Sequence, residues 1–360
     1  MSSPAPKRRD IAGLAAIALV LLAFAPLVGH ALRRASAQAA PRLPLTAPLP
    51  DAVPPGTTLI VGDPLVQRVF QHLGWEKRLP FRIQWTEAYG GPKVNQAFQA
   101  KALDVGLTAD IPPIHATWIG IPVKIVAYRL RQDPLAYPIY TLGIAPGARI
   151  ATLADLRGKR IAYSPGQAQG AVVLRTLAGA GIPRNAVTLV NLPAEVGTYV
   201  DALAARQVDA APIAAGLQAQ RYLQRYGDDG ARVLPHGAFR DDPSLLYARS
   251  ETLEDPAKAA ALRVYVRWWA RAQRWMDAHP RDFVNIYYVH DQGVSPAEGD
   301  VIIRATGKLD LPDNWDLPIR LQQQTIDFMT SDAGRPTFPA ATIFDRRFEH
   351  VPAESLKRPD

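Results

Sequence analysis

The sequence predicts an α/β protein built from two units in series. Short apolar runs alternate with amphipathic stretches of helical period, and this alternation restarts near residue 140. The 360 residues, 48% hydrophobic and 21% charged, suffice for one large core or two ordinary ones. Strands and helices that alternate imply parallel pairing, because the helix carries the chain back to start the next strand from the same end.

In the first unit, 58–61 reads as a strand, 64–73 as a helix and 81–85 as a second strand. A helix over 92–101 places Val94, Ala97 and Phe98 on one face. The strand 103–107, a helix over 112–119 and the strand 123–128 complete the unit. The second unit opens with a strand around 142–144 and a helix start at 152–156. It continues through the strand 160–163, the helix 168–180, the strand 187–190 and the helix 196–206. From 256 onward the pattern is helical, over 257–277, 280–288, 296–305 and 318–331. Arg263, Arg267, Arg271 and Arg274 fall on one side of the first of these helices, opposite Leu262, Tyr265, Trp269 and Met276, and read as a solvated face.

The N-terminus carries an address. Lys7, Arg8 and Arg9 precede an uncharged run over 11–29, followed by Arg33, Arg34 and the small residues Ala35, Ser36 and Ala37. That order is a secretory signal over 1–37 with a mature start near Gln38, or else an uncleaved anchor; the Arg8-Arg9 pair leans toward twin-arginine export. Either way the rest of the chain is expected outside the cytoplasm, in the periplasm. Losing 1–37 removes five basic residues and one acid, so the net charge falls from +8 to +4. A proline-rich stretch over 38–56 reads as a stiff linker.

Several function classes drop out. With no cysteine, disulfides, thiolate metal sites, cysteine nucleophiles and a lipobox are excluded. The seven histidines never fall two to five apart, so no local metal-ligand pair exists. No phosphate-binding loop, dinucleotide fingerprint or nucleophile elbow is present. No catalytic, cofactor or metal site is expected, and the chain reads as a binder and not an enzyme. No run of clustered Lys and Arg interleaved with aromatics argues for nucleic acid.

In an open α/β sheet, ligands lie beyond the carboxyl ends of the strands. Three strand-to-helix loops stand out: 62–64 with Asp63; 108–111 with Thr108, Asp110 and Ile111; and 164–168 with Ser164, Gly166, Gln167 and Ala168. The last opens a helix with a small flexible residue, so free amides and the positive helix end invite an oxyanion; the alternative is a plain turn. Asp63 and Asp110 are either helix-start carboxylates or partners of a cationic ligand group, and Glu195 is read the same way. Tyr89, beside Gly90, either roofs the ligand or packs at a lobe edge. His115 reads as a packing or capping residue.

The ordered motifs Glu87-Ala88-Tyr89-Gly90-Gly91-Pro92, then 103–114, 153–162, Leu192-Pro193-Ala194-Glu195 and Gln207-Val208-Asp209-Ala210 resemble the aliphatic-sulfonate, taurine and nitrate binding proteins over roughly 57–350. That resemblance implies a type II periplasmic binding fold. Lobe 1 spans 57–140 and 247–350, lobe 2 spans 141–246, and 351–360 is a tail. Crossover strands are expected near 140–145 and 244–249, with the ligand cleft between the lobes. It also implies a monomer that delivers a small anionic organic ligand to an ABC permease and ATPase. Enzymes on this fold, a desulfinase and a thiamine-pyrimidine synthase, use cysteines that this chain lacks. Ala211 and Ala214 stand where relatives often carry tryptophans, which implies a wider cleft and a bulky or aromatic organosulfonate. Gly197 replaces a frequent basic residue, which counts against nitrate. The remaining readings are a heterocycle, nitrate or another sulfur compound as ligand, or an enzyme or anchored sensor on this scaffold.

Overall fold

Two mixed sheets carry the architecture of the computed structural model, which describes residues 42–88, 90–195 and 197–357. The expected signal segment 1–37 and Tyr89 lie outside the described residues. The first sheet contains β1 (Thr58–Gly62), β2 (Arg82–Trp85), β3 (Val105–Ala109), β4 (Val123–Arg131), β10 (Ser244–Arg249) and the two-residue β11 (Leu309–Asp310), in the order β11-β4-β10-β3-β1-β2. The second contains β5 (Tyr140–Ile144), β6 (Arg160–Tyr163), β7 (Thr188–Asn191), β8 (Ala210–Ala214) and β9 (Arg232–Leu234), in the order β7-β6-β8-β5-β9.

The alternating strands pair in parallel as expected, β1 with β2 and β3 and β6 with β7 and β8, but the two crossover strands do not. β10 runs antiparallel to β3 and β4, and β5 antiparallel to β8 and β9. The cause is the crossing of the chain: β4 leaves the first sheet and β5 enters the second, while β9 leaves the second and β10 returns. The strand that has just crossed slots into the middle of the new sheet in the reverse sense. The crossings themselves run over 132–139 and 235–243, just ahead of the two strands expected to make them.

Local sequence explains the elements that frame the site. The helix Pro64–Leu73 starts where Asp63 caps it, accepting from the Val66 amide at 3.1 Å, and stops at the left-handed Gly74. Pro112 opens the helix Ile111–Trp118 in the first turn, where a missing N–H costs nothing. The long helix Pro256–Ala278 buries Tyr265, Trp269 and Met276 against the first sheet; its arginines are half-buried as well as solvated, with Arg263 paired to Asp51 and Arg271 over the Trp268 ring.

Parts of the two segments expected as linker and tail are docked on lobe 1. Within the proline-rich stretch, Leu45, Leu49 and Val53 pack against the first core, and Arg347 donates to the Ala47 carbonyl. The tail contains the helix Val351–Lys357, whose Val351, Pro352 and Ala353 are buried. Both runs carry apolar side chains at intervals that a solvated linker would not need.

Candidate functional site

The two lobes meet at the starts of their helices. In lobe 2, β6 ends at Tyr163 and the chain turns through Ser164, Pro165 and Gly166, with Gly166 at φ +80°, into the helix Ala168–Gly179. Gln167 occupies the cap position in extended conformation, and no side chain caps this turn. Its amide side chain instead accepts from the Ser164 hydroxyl at 3.1 Å. Directly opposite stands lobe 1: a methyl group placed on Gly166 would lie 3.1 Å from Cε1 and 3.3 Å from Nε2 of His115. The imidazole is held edge-on against Trp118, with centroids 5.1 Å apart, and Trp118 donates to the Pro336 carbonyl. His115 Nε2 is buried with no hydrogen-bond partner. Burial, and after it the charge of Arg335, hold this imidazole below the usual histidine range.

Behind this contact the lobes share a polar bridge. Arg175 of the lobe 2 helix donates to the Thr325 hydroxyl at 2.6 Å and lies 3.9 Å from the Asp110 carboxylate, which accepts from Thr325 at 2.8 Å. The Asp110 carbonyl accepts from Gln322 at 2.7 Å. Asp110 is therefore committed to the helix Asp316–Ala333 and to Arg175, and its side chain makes no cap bond. Ile111 is wholly buried in the lobe 2 core together with Met329, so lobe 1 elements seal part of the second core. A cavity of about 700 Å³ lies behind the hinge, lined in part by Arg175, Phe239, Leu321 and Phe328.

The other expected site residues fall into two groups. Thr108, at the end of β3, and Ser164 are buried close to the interlobe contact. Gly90, at φ +80°, precedes the helix Gly91–Gln99, whose first residue Gly91 lies against Pro112 of the helix Ile111–Trp118. Glu195 is exposed ahead of the helix Thr198–Ala204, and its carbonyl accepts from Thr198. Ala214, half-buried, ends β8 and donates its amide to Gln218. Asp63 is fully buried and takes hydrogen bonds from Val66 and, at 3.2 Å, from Trp269 Nε1. Burial raises its pKa to about 6. It lies beneath the cleft, in the lobe 1 core. Ala211 is also placed away from the cleft, in the lobe 2 core with Leu203, Tyr199 and Tyr222. The idea that its small side chain widens the cleft is corrected: on a strand, 211 and 214 point to opposite faces.

A family model described as NMT1/THI5 like matches residues 82–282, more than half of the chain. The chain belongs to the NMT1/THI5-like family. The alkanesulfonate-binding protein SsuA from Xanthomonas axonopodis pv. citri, solved with MOPS, superposes with a TM-score of 0.67 at 23% identity, covering 83% of this chain and 99% of that one. The periplasmic aliphatic sulphonate binding protein SsuA from Escherichia coli gives a TM-score of 0.67 at 22% identity, covering 82% and 99%. These likenesses establish the two-lobed fold expected from the resemblance. Over 108 residues the chain is 33% identical to an Escherichia coli (strain K12) protein described as a candidate aliphatic sulfonates-binding protein; the match spans 30% of this chain and 33% of that protein. Among the described residues, no cluster of three or more acids and histidines is placed to hold a metal ion, and no helix is long and apolar enough to cross a membrane.

Proposed function

We propose that this NMT1/THI5-like chain is the exported, substrate-binding component of an ABC importer, and that it takes a small organosulfonate between its lobes. The observation that carries the reading is the meeting of the uncapped helix start at Gly166–Ala168 with the lobe 1 helix that bears His115. Amides at the helix start, of which that of Gln167 also donates to the Ser164 carbonyl at 3.4 Å, and the positive helix end favour an anion there, and lobe 1 supplies a wall beside it. The sulfonate ligands in the names of the relatives support the choice of anion. Room for a bulky or aromatic tail now rests on Ala214 alone. Delivery to a permease and ATPase, and a mature start near Gln38, belong to the same proposal; N-terminal sequencing of the exported protein checks the latter, and an intact Met1 in the membrane fraction would favour an anchor.

The test is Gln167→Asp, titrated calorimetrically with 1-hexanesulfonate. A carboxylate at this turn competes for the same amides and repels the anion: two unit charges about 4 Å apart interact by ~4 kcal/mol at an effective dielectric near 20. A loss of at least tenfold, which needs only ~1.4 kcal/mol, is expected with the fold intact. Binding within about threefold of the parent would place the anion elsewhere.

A further inference from the structure

We propose that the cavity against the two crossings is a small-molecule site in its own right, taking a neutral aromatic molecule that carries an N–H or O–H donor. It is separate from the anion seat and does not depend on the reading above: the helix Ala168–Gly179 contributes Arg175, Thr176, Ala178 and Gly179 to its wall, beginning about 10 Å along the axis from the helix start. The rest of the wall comes from lobe 1 and from both crossings, so an occupant touches every part that joins the lobes. The volume of about 700 Å³ falls within the span of roughly 300–1,000 Å³ typical of ligand pockets.

The wall selects the occupant in three ways. Its apolar part is large and partly aromatic: Phe239 and Phe328 each have their ring centre 5.9 Å from the Arg175 guanidinium, Leu153 and Leu321 are half-buried, and Leu135 stays 59% exposed. Its charges are balanced, with Arg175 3.9 Å from Asp110 and Arg240 2.9 Å from Asp242. A charged ligand would lose its hydration there without gaining a free counter-ion, so a neutral one is favoured. Finally, on or just behind this wall three buried side chains keep a polar atom without a partner: His236 Nδ1, Gln322 Oε1 and the Tyr128 hydroxyl. His236 belongs to the wall itself, and Gln322 holds the Asp110 carbonyl. Burial, and after it the carboxylates of Asp110 and Asp242, push the Tyr128 hydroxyl well above the usual phenol range, against Arg175 and Arg240, so it stays protonated. Asp241 takes the Ile139 and Tyr140 amides and also the His236 Nε2 proton, which leaves Nδ1 as a lone pair. Two of the three atoms are therefore acceptors, and a donor on the ligand supplies what they lack.

The experiment is calorimetric titration of the protein with indole, 1-methylindole and tryptamine. Indole should bind with a stoichiometry of one. The methylated ring, which has lost its donor, and the cationic tryptamine should each bind roughly tenfold more weakly or worse. Two variants, checked for folding by circular dichroism, locate the site. Ala178→Phe adds a ring at an exposed helix position on the wall and should weaken indole at least about tenfold, and Phe328→Ala should weaken it severalfold by removing one aromatic face. Failure of indole to bind overturns the proposal. Indole affinity unchanged in both variants overturns the placement, and 1-methylindole or tryptamine binding as tightly as indole overturns the ligand class.

Discussion

Asp63 shows how one buried side chain shapes stability. Its carboxylate accepts from Val66 and Trp269 but is fully buried, and burial outweighs those bonds, raising its pKa from 3.8 to about 6. A carboxyl raised on folding is protonated in the native state before it is protonated in the unfolded chain. It therefore adds stability below about pH 4, and that stability is lost as pH rises through about 6. Asp63→Asn retains the capping oxygen without the charge. Relative to the parent it should gain on the order of 2–3 kcal/mol between about pH 4 and pH 7, read from urea unfolding at several pH values; equal profiles would show that Asp63 ionises freely. At this scale the sequence is informative about roles set by near neighbours: Asp63 ahead of Pro64 reads as a cap and is one. It is silent about roles set across the fold. His115 reads as packing because Gly166 is far away in the chain, and Arg175 draws no notice because Asp110 and Thr325 reach it only through tertiary structure.

Among elements, the helix Pro296–Ala305 ties the lobes together at a second place. Arg221 of the lobe 2 helix Leu217–Tyr226 donates to Glu298 at 2.6 Å, and Glu298 also completes a capping box with Ser295. An exposed pair of this kind contributes at most ~1 kcal/mol, so the tighter constraint is steric: a methyl on Gly216 would lie 2.6 Å from the Ala305 Cβ. Gly216→Ala should push this helix away from lobe 2 and weaken 1-hexanesulfonate binding severalfold, of order 1 kcal/mol. Adding Ala305→Gly should restore most of it. Absence of rescue would assign the effect to backbone strain at Gly216, whose φ is +76°. Such contacts explain what the chain pattern left out. β9 and β11, with three and two residues, are too short for periodicity to register, and they exist because β5 and β4 offer edges to pair with. The helix Leu217–Tyr226, rich in Gln and Arg, buries only Ala219 and Tyr222. By contrast the helices 64–73 and 296–305 are legible to the residue, since each has a cap and a proline at its start.

For the molecule as a whole, two crossings join the lobes, and carboxylates on the second fasten them together. Asp241 accepts from the Ile139 and Tyr140 amides and pairs with His236 at 3.0 Å, while Asp242 accepts from the Arg131 amide and from Arg240. This pins the crossings to each other as the axis for the domain closure common in periplasmic binding proteins, a motion that has to part the Arg175–Asp110 and Arg221–Glu298 contacts between the lobes. Small-angle scattering should show a smaller radius of gyration with saturating 1-hexanesulfonate than without it. An unchanged radius would mean that the closed contact between His115 and Gly166 persists in the empty protein. The two-unit plan was legible from the restart of alternation near 140, and the return to the first sheet at β10 from the resemblance. The lobe boundary in three dimensions was not legible, because Ile111 and Met329 pack into a core that belongs to the other half of the sequence.

The docked runs at 45–56 and 351–357 have a practical consequence for anyone turning this scaffold into an optical sensor. Both are fastened to lobe 1. A donor and an acceptor fluorophore attached beside these two runs would ride on the same rigid body and report nothing when the cleft shuts. One of the pair has to be carried by lobe 2, and the exposed turn at Asp228 and Asp229, between the helix Leu217–Tyr226 and β9, offers a place where an insertion disturbs no core residue.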